Sequence, residues 1–145
     1  MTATTTIGAF STDARSVSPL EEAFPEADPG VTPLGSRILV QLRMPKKMVG
    51  RIHLADETKD AEKWNTQVAR VIAVGPVAFR NRTTLEPWPE LQWVEPGDFV
   101  RVGKYGGDRF EVPLDDKTKA LFAIFNDLEM IAKVTGDPLQ IIAYV

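Results

Sequence analysis

The side chains that most often carry catalysis are sparse in this sequence. The 145-residue chain has one histidine, His53, and no cysteine. A lone histidine cannot form the cluster of histidine and cysteine ligands that holds zinc, and no nucleophile stands near it to form a catalytic dyad. Two carboxylate pairs, Glu21-Glu22 and Asp115-Asp116, fall in a polar N-terminal stretch and in a turn, which explain them without catalysis. We therefore expect no catalytic residue, no metal and no cofactor.

Two tryptophans could bind a ligand instead. Trp88 and Trp93 flank Pro89 in a predicted loop. Their rings could form a platform on which a planar ligand stacks, or they could pack a long hairpin onto itself. Packing is the more common role of such rings, and we expect it here.

A basic run is the main argument for nucleic-acid binding. It comprises Arg37, Arg43, Lys46, Lys47 and Arg51. Small β-barrels with basic loops and exposed aromatic side chains bind single-stranded nucleic acids. No aromatic residue is interleaved with this run, and acidic residues follow it at once, namely Asp56, Glu57, Asp60 and Glu62. Nucleic-acid binding is therefore the alternative function and not the preferred one.

Composition bounds the number of domains and the compartment. With 43% apolar and 26% charged residues, the chain can close one ordinary hydrophobic core. The net charge of −3 is concentrated in residues 1–30, so the rest of the chain is nearly neutral. The absence of cysteine and of a long apolar N-terminal run predicts a reducing compartment, and we expect a cytoplasmic protein.

Residues 1–30 differ from the rest of the chain. They are rich in Thr, Ser, Ala, Pro and acidic residues, and they show neither the two-residue period of a strand nor the 3.6-residue period of a helix. Such a composition is typical of disorder. We expect a disordered acidic tail over residues 1–30, from which Phe10 and Phe24 could still dock, and one domain over residues 31–145.

Short strands separated by turn residues dominate the remaining sequence. In RILVQL (37–42), the alternation of Ile38, Val40 and Leu42 with the residues between them predicts a half-buried strand. Further strands are predicted in QVARVIAVG, EPGDFVRVG, DRFEVPL, ALFAIF and EMIAKV. Almost no helical periodicity accompanies them. The pattern predicts an all-β fold, a small antiparallel barrel or sandwich.

Two connections are longer than hairpins require, at about residues 44–65 and 76–95. Compact domains join strands by a handful of residues, so long connections usually carry function or are disordered. The first contains an isolated apolar step, Ile52-His53-Leu54, between basic and acidic residues. In an extended segment Ile52 and Leu54 project on the same side, so both could enter one apolar groove of another protein.

The order of these signals resembles the chaperonin-10 family, the GroES-type co-chaperonins. PLGSRILVQL is followed by a charged loop that contains Gly-x-Ile-x-Leu, then by ARVIAVGP, by VEPGDFVRVGKYGG and by a closing NDLEMIAKV. Each piece alone is common in β proteins, but the five in this order and spacing are not. The resemblance extends from about Thr32 to Val134.

This resemblance implies a Greek-key barrel that assembles as a sevenfold ring and caps a GroEL-type chaperonin around an unfolded client protein. ATP would be used by the partner chaperonin, and this chain would have no enzymatic activity. A mobile loop over residues 44–65 would bind the apical domains of the chaperonin. Its binding residues, carried over by position, are Gly50, Ile52, His53 and Leu54.

The resemblance also implies subunit contacts and a roof. The strand around Leu34, Arg37 and Ile38 resembles one edge strand of the ring subunits, and the strand around Ile131, Ala132 and Val134 resembles the other. Pairing between neighbouring subunits would hide two edges that a lone barrel exposes. Residues 76–95 occupy the place of the roof hairpin, where Trp88 and Trp93 lie, and Tyr105 matches a tyrosine near the inner wall.

The chain departs from the family pattern at several points. Ser36 stands where an acidic or amide residue is usual, and His53 replaces the usual aliphatic centre of the apolar step. The roof segment is larger, and residues 135–145 extend past the usual end, with an extra strand predicted over Leu139 to Val145. This divergence suggests a bacteriophage protein, which would act in the host cytoplasm.

An enzymatic alternative comes from the zinc alcohol dehydrogenases, which contain a related barrel. Their metal ligands are chiefly cysteine and histidine, and their nicotinamide cofactor requires a Rossmann domain. This chain has no cysteine and no room for that second domain. We therefore expect a binding protein and not an enzyme.

Overall fold

The computed structural model describes residues 18–44, 48–49, 52–53 and 67–141. A short helix, α1 (Pro19–Ala23), comes first, and a 3-10 helix, Asp127–Glu129, precedes the last strand. Eight strands are described: β1 (Arg37–Leu42), β2 (Met48–Val49), β3 (Ile52–His53), β4 (Val68–Val74), β5 (Phe99–Val102), β6 (Asp108–Pro113), β7 (Lys119–Asn126) and β8 (Met130–Lys133).

Six of these strands form one antiparallel sheet in the order β6-β7-β1-β4-β5-β8. The short strands β2 and β3 pair only with each other. The prediction of an all-β fold is confirmed, and the six sequence stretches predicted as strands between residues 37 and 134 all contain one.

The short connection between β7 and β8 shows that the sheet is curled. The two strands are four strand spacings apart in the sheet, which would be about 19 Å if the sheet were flat. Only the 3-10 helix joins them, and the four residue steps from Asn126 to Met130 span at most about 14 Å. The two ends of the sheet must therefore approach each other, as in a small barrel.

The concave face of the curled sheet encloses the main hydrophobic core. Its buried members come from five strands and from the 76–95 segment: Ile38, Val40, Leu42, Ala69, Val71, Ala78, Phe79, Val94, Val100, Val102, Leu121, Ala123, Phe125 and Met130. A smaller cluster of Leu39, Ala120 and Phe122 forms on the other face, where Phe110 stacks on Phe122 at a centroid distance of 5.7 Å.

Strand β1 is buried on both of its faces. Ile38, Val40 and Leu42 enter the main core, as their alternation predicts. Leu39, however, lies in the smaller cluster, and Gln41 is only 1% exposed. The prediction of a half-buried strand is therefore wrong, because other parts of the chain cover the outer face of β1.

Residues 18–30 supply part of that cover. Phe24 is 2% exposed, and its ring meets the Phe99 ring edge-on at a centroid distance of 5.1 Å. The Arg70 guanidinium lies 5.7 Å from the centre of the Phe24 ring. The predicted disorder of residues 18–30 is therefore wrong, because one buried aromatic ring and its contacts hold the segment in place. Residues 1–17 lie outside the described residues.

Helix α1 begins with a capping box, which explains the acidic pair of this segment. The Ser18 hydroxyl accepts a hydrogen bond from the Glu21 amide at 3.1 Å, and the Glu21 carboxylate accepts one from the Ser18 amide at 3.3 Å. This reciprocal arrangement satisfies two amides that a helix start leaves without partners. Glu21 therefore has a structural role at the N3 position of this capping box.

The C-terminal extension also folds against the barrel. Pro138 is buried, and the Asp137 carboxylate accepts a hydrogen bond from the Leu139 amide at 2.9 Å. This local bond makes a turn at the place where a strand is predicted to begin. The strand prediction is wrong over residues 139–141, and residues 142–145 lie outside the described residues.

Gly75 stands where two backbones come very close. Its amide donates a hydrogen bond to the Arg37 carbonyl at 2.8 Å. A Cβ atom at this position would lie 2.8 Å from the same carbonyl oxygen and still closer to the carbonyl oxygen of Gly35. A side chain here would therefore push the end of β4 away from β1.

We expect Gly75→Ala to lower the free energy of unfolding by about 1–3 kcal/mol, because overpacking against backbone atoms cannot be relieved by a side-chain rotation. The matched control is Gly136→Ala, since a Cβ atom there would meet nothing within 4 Å. Chemical denaturation of both variants measures the difference, and equal effects would contradict the close approach.

We expect Phe24→Ala to destabilise the protein by about 3 kcal/mol, because it empties a buried aromatic site. Leu20→Ala lies in the same segment but replaces a side chain that is 37% exposed, so its effect should stay below about 1 kcal/mol. Thermal unfolding distinguishes the two. A tail that does not contribute to stability would give the same melting temperature in both variants.

Candidate functional site

The predicted binding loop is described only in part. Ile52 and His53 form β3, whose backbone pairs with β2 so that Met48 lies opposite His53 and Val49 opposite Ile52. Gly50 and Leu54, the other two predicted binding residues, lie outside the described residues. The described backbone of the apolar step is therefore extended and paired within a small hairpin, and its binding role stays a prediction.

Both ends of this loop are anchored at neighbouring positions of the sheet. The Arg43 amide donates to the Val68 carbonyl at 3.0 Å, which extends the pairing of β1 with β4. On the returning side, the Val102 amide donates to the Gln67 carbonyl at 2.8 Å. Arg43 and Gln67, which flank the loop, therefore lie at neighbouring positions of the barrel.

Arg43 and Met44 form the root of the loop, and two distant parts of the chain contact them. The Arg43 guanidinium donates to the carbonyl oxygens of Pro138 and Ile141 at 2.9 and 2.7 Å. The Met44 amide donates to the carbonyl oxygen of Ala23 at 2.9 Å. The N-terminal and C-terminal segments thus meet at the point where the loop begins.

The two sequence stretches predicted at a subunit interface differ in exposure. Strand β1 is paired on both sides, and Ile38 is 0% exposed, so the prediction that this strand is an edge is wrong. The start of β1 lies inside the sheet because β7 and β4 flank it. Leu34, which precedes β1, is by contrast 72% exposed. Arg37 lies at the first position of β1 and is exposed.

Strand β8 does lie at an edge of the sheet. Ile131 is 63% exposed and Ala132 is also exposed, whereas Val134 is partly buried and donates its amide to the Phe99 carbonyl at 2.7 Å. An unpaired edge with exposed apolar side chains can add a strand from another chain. The assignment of Ile131, Ala132 and Val134 to a subunit interface stays a prediction.

The 76–95 segment folds into a short hairpin over the main core. Arg80 forms an antiparallel bridge with Pro87, and the Trp88 amide donates to the Phe79 carbonyl at 3.1 Å. The rings of Trp88 and Trp93 lie 5.0 Å apart, and each lies 5.7 Å from the buried ring of Phe79. These aromatic rings pack on one another, which is the structural role that the sequence favours over ligand stacking.

A buried carboxylate fixes this hairpin to the barrel. Asp127 is 0% exposed, and its Oδ2 accepts hydrogen bonds from the Phe79 amide at 2.9 Å and from the Arg82 guanidinium at 2.6 Å. The Asp127 amide donates to the Ser36 carbonyl at 3.1 Å. One residue therefore connects the hairpin, the 3-10 helix and the chain that leads into β1. Phe79 has φ of 60°, so this attachment includes a conformation that L-residues seldom adopt.

Tyr105, the predicted cavity residue, is 77% exposed. The ammonium group of Lys104 lies 5.8 Å from the centre of its ring. The ring is therefore available to another molecule, although its place at an inner wall stays a prediction.

An open cleft beside β6 and β7 offers little for catalysis. Its lining residues are Arg37, Gly107, Asp108, Ile124, Phe125, Asn126 and Glu129, so it contains no serine, cysteine or histidine. Over the parts of the chain that the structure describes, no group of His, Cys, Asp or Glu residues could hold a metal ion. Within the same parts, no helix has the length and apolarity to cross a membrane.

Sequence reasoning missed three residues that attach irregular segments to the two ends of β1 and to the barrel. The sequence places Arg43 in a basic run, and it assigns no functional role to Arg82 or Asp127. The sequence offers one weak signal, which is that Asp127 lies in IFNDLEM among the apolar residues Phe125, Leu128 and Met130. A charge so placed indicates a buried partner, but it does not identify Arg82, which is 45 positions away in the chain.

Comparison with known families agrees with the architecture. The model of the family described as chaperonin 10 kDa subunit matches residues 30–134. The match therefore includes the loop, the hairpin and both predicted edge regions. Among curated proteins, none matches the chain.

We expect Asp127→Ala to destabilise the protein by about 2–4 kcal/mol, because it leaves the Phe79 amide buried without an acceptor and removes the partner of Arg82. Asp98→Ala is the matched control. Its carboxylate also binds one amide, of Glu95, and one cation, of Lys133, but it is partly exposed. Water can replace those contacts, so we expect less than about 1 kcal/mol in chemical denaturation. A larger loss of stability in Asp98→Ala than in Asp127→Ala would refute the role of Asp127.

Proposed function

Because the chain belongs to the chaperonin-10 family, we propose that it is a co-chaperonin that forms a ring and caps a GroEL-type chaperonin around a folding client protein. The observation that carries this proposal is the family match, which spans the loop and the sheet that anchors it. Membership itself supports co-chaperonin function, an oligomeric state and a chaperonin partner. The sevenfold ring, the cap and the client are the finer parts of the proposal.

The proposed contact is a short apolar segment inserted in a groove of the chaperonin. Burial of Ile52 and Leu54 would contribute about 3–6 kcal/mol. Ordering a loop on binding costs about 2–5 kcal/mol, so one loop alone binds weakly. The extended backbone of Ile52-His53, paired with Met48-Val49, supports this mode, because a segment that is already extended loses less freedom in a groove.

Assembly into a ring would combine several weak loop contacts into one strong attachment to the chaperonin. After the first loop binds, each further loop binds intramolecularly, and such linkage raises affinity by about 10² to 10⁴ without new kinds of contact. Each loop remains weak by itself, so an ATP-driven change in the partner can still release the ring. Because several loops would bind together, a segment with His53 at its centre, in place of an aliphatic residue, could still hold the ring on the chaperonin.

The exposed apolar surfaces support ring assembly. Leu34 and Ile131 are 72% and 63% exposed, and β8 offers free edge positions. We propose that residues 31–34 of one subunit pair with β8 of the next. This arrangement assigns the interface role to Leu34, Ile131, Ala132 and Val134, and it leaves Ile38 inside its own subunit.

The chain would need no cofactor of its own. ATP would be bound and hydrolysed by the chaperonin, and this chain would act by binding alone. We propose a cytoplasmic location, where such a chaperonin and its clients occur. Tyr105 and the outer surface of the 76–95 hairpin would face the client.

Nucleic-acid binding is less well supported than the co-chaperonin function. One of the five basic residues that suggested it, Arg43, directs its guanidinium at two protein carbonyls and not at solvent alone. Retention on heparin that falls steeply with salt would revive this alternative.

We expect Leu54→Ser to weaken association with an ATP-bound chaperonin by at least about 100-fold, because the loss of one aliphatic anchor is repeated in every subunit of the ring. Leu114→Ser, at an exposed leucine in the turn between β6 and β7, is the control and should bind as the unchanged protein does. Surface plasmon resonance measures both.

The same samples should be imaged by electron microscopy with chaperonin and ATP. Rings that remain assembled but no longer cap the chaperonin would support the loop as the docking element. Loss of the folded ring in Leu54→Ser would show that this leucine belongs to a core, and would contradict the proposal.

A further inference from the structure

The segments that contact the loop root lie largely outside the family match. The match covers residues 30–134, whereas the contacts to Arg43 and Met44 come from Ala23, Pro138 and Ile141. Both segments therefore add to the family domain, and they converge on the same two residues.

The C-terminal contact is well suited to hold the start of the loop. A guanidinium group is planar and presents several N–H groups at fixed angles, so it can bind two carbonyl oxygens at once. Arg43 does so with Pro138 and Ile141, while its own amide is bound to Val68. The backbone and the side chain of this residue are thus fixed by different parts of the chain.

The N-terminal contact is supported by a buried anchor. Ala23 is the last residue of α1, where a helix leaves carbonyl oxygens without intrahelical partners, and its carbonyl accepts the Met44 amide. The next residue, Phe24, is buried against Phe99. One residue further, the Pro25 carbonyl accepts from the Gln41 side chain at 2.6 Å. Ala23 is therefore not free to move away from Met44.

We propose that residues 18–25 and 137–141 form a clasp on the loop root, and that this clasp sets how long the loop stays bound to the chaperonin. Arg43 is the positioning residue of the clasp. A fixed root shortens the part of the loop that must lose freedom on docking, so it lowers the entropic cost of each attachment. The effect of the clasp on binding to the chaperonin rests on the co-chaperonin function proposed above.

The principal test is Arg43→Gln in the full-length protein, with Arg109→Gln as the matched control. Arg109 also donates to two backbone carbonyl oxygens, from Nε to Gly106 at 2.9 Å and from Nη2 to Gly103 at 2.7 Å, whereas Arg43 makes both of its bonds from Nη1. Burial lowers the pKa of its guanidinium from the ordinary value. The control thus also loses a partly buried arginine, but its carbonyl partners are Gly103 and Gly106 and not the residues of the proposed clasp.

Two readouts separate a clasp from general destabilisation. Hydrogen exchange, followed by mass spectrometry on peptides that contain the Met44 amide, should become at least about tenfold faster in Arg43→Gln and stay unchanged in Arg109→Gln. Dissociation of the ring from an ATP-bound chaperonin should become at least about tenfold faster in Arg43→Gln alone, because a small effect per loop multiplies over the ring. Arg43→Lys keeps the charge but lacks the planar group that fixes the N–H directions, so its effects should lie between those of Arg43→Gln and the unchanged protein.

A second variant tests the N-terminal half of the clasp. Phe24→Leu keeps an apolar side chain but loses the ring contacts with Phe99 and Arg70. We expect faster exchange at Met44 in this variant as well, with a smaller loss of stability than truncation to alanine would cause.

The outcomes distinguish the clasp from the function on which it rests. Unchanged exchange at Met44 in Arg43→Gln overturns the clasp, whether or not the protein binds a chaperonin. If Arg43→Gln speeds exchange at the Met44 amide but leaves dissociation from the chaperonin unchanged, the contact is purely structural. That result overturns the proposed effect on binding. If the unchanged protein binds no chaperonin, the co-chaperonin function and the effect on residence time both fail, while exchange still decides whether the root is clasped.

Discussion

The three-residue connection between β7 and β8 is the constraint on which the rest of the structure depends. It cannot bridge a flat sheet, so the sheet curls and brings distant strands together around one core. The curl places the 3-10 helix beneath the 76–95 hairpin, where Asp127 can reach Phe79 and Arg82. The same curvature lets short segments at the chain ends cover strands that a flat sheet would leave open.

Polar side chains act together with buried apolar ones to attach the irregular segments to this barrel. Gln41 binds the Pro25 carbonyl, Arg43 binds two carbonyls of the C-terminal extension, and Asp127 binds the hairpin. A buried polar group is costly without a partner, so each contact specifies one position for its segment. Apolar packing alone would allow each segment to slide. The barrel thus carries three irregular segments in fixed places.

In the proposed function, the sheet is the rigid part and the loop is the part that binds the partner. The sheet anchors both ends of residues 45–66 at neighbouring positions, at Arg43 and Gln67. In the proposed function, a partner would bind the loop while the sheet keeps its core. Weak contacts in each subunit, repeated around the proposed ring, would give attachment that is firm but reversible. The proposed clasp, which lies outside the residues that match the family, would change how long each loop stays bound.

The sequence by itself determined the positions of the six strands of the sheet and the family resemblance. These features depend on local periodicity and on residues with special backbone preferences, which neighbours in the chain reveal. Only the tertiary structure decided that Phe24 is buried, that β1 is an inner strand, and that Arg43 meets Pro138, 95 positions away. Those facts follow from the curl of the sheet, which depends on contacts between residues far apart in sequence, and no local pattern encodes them.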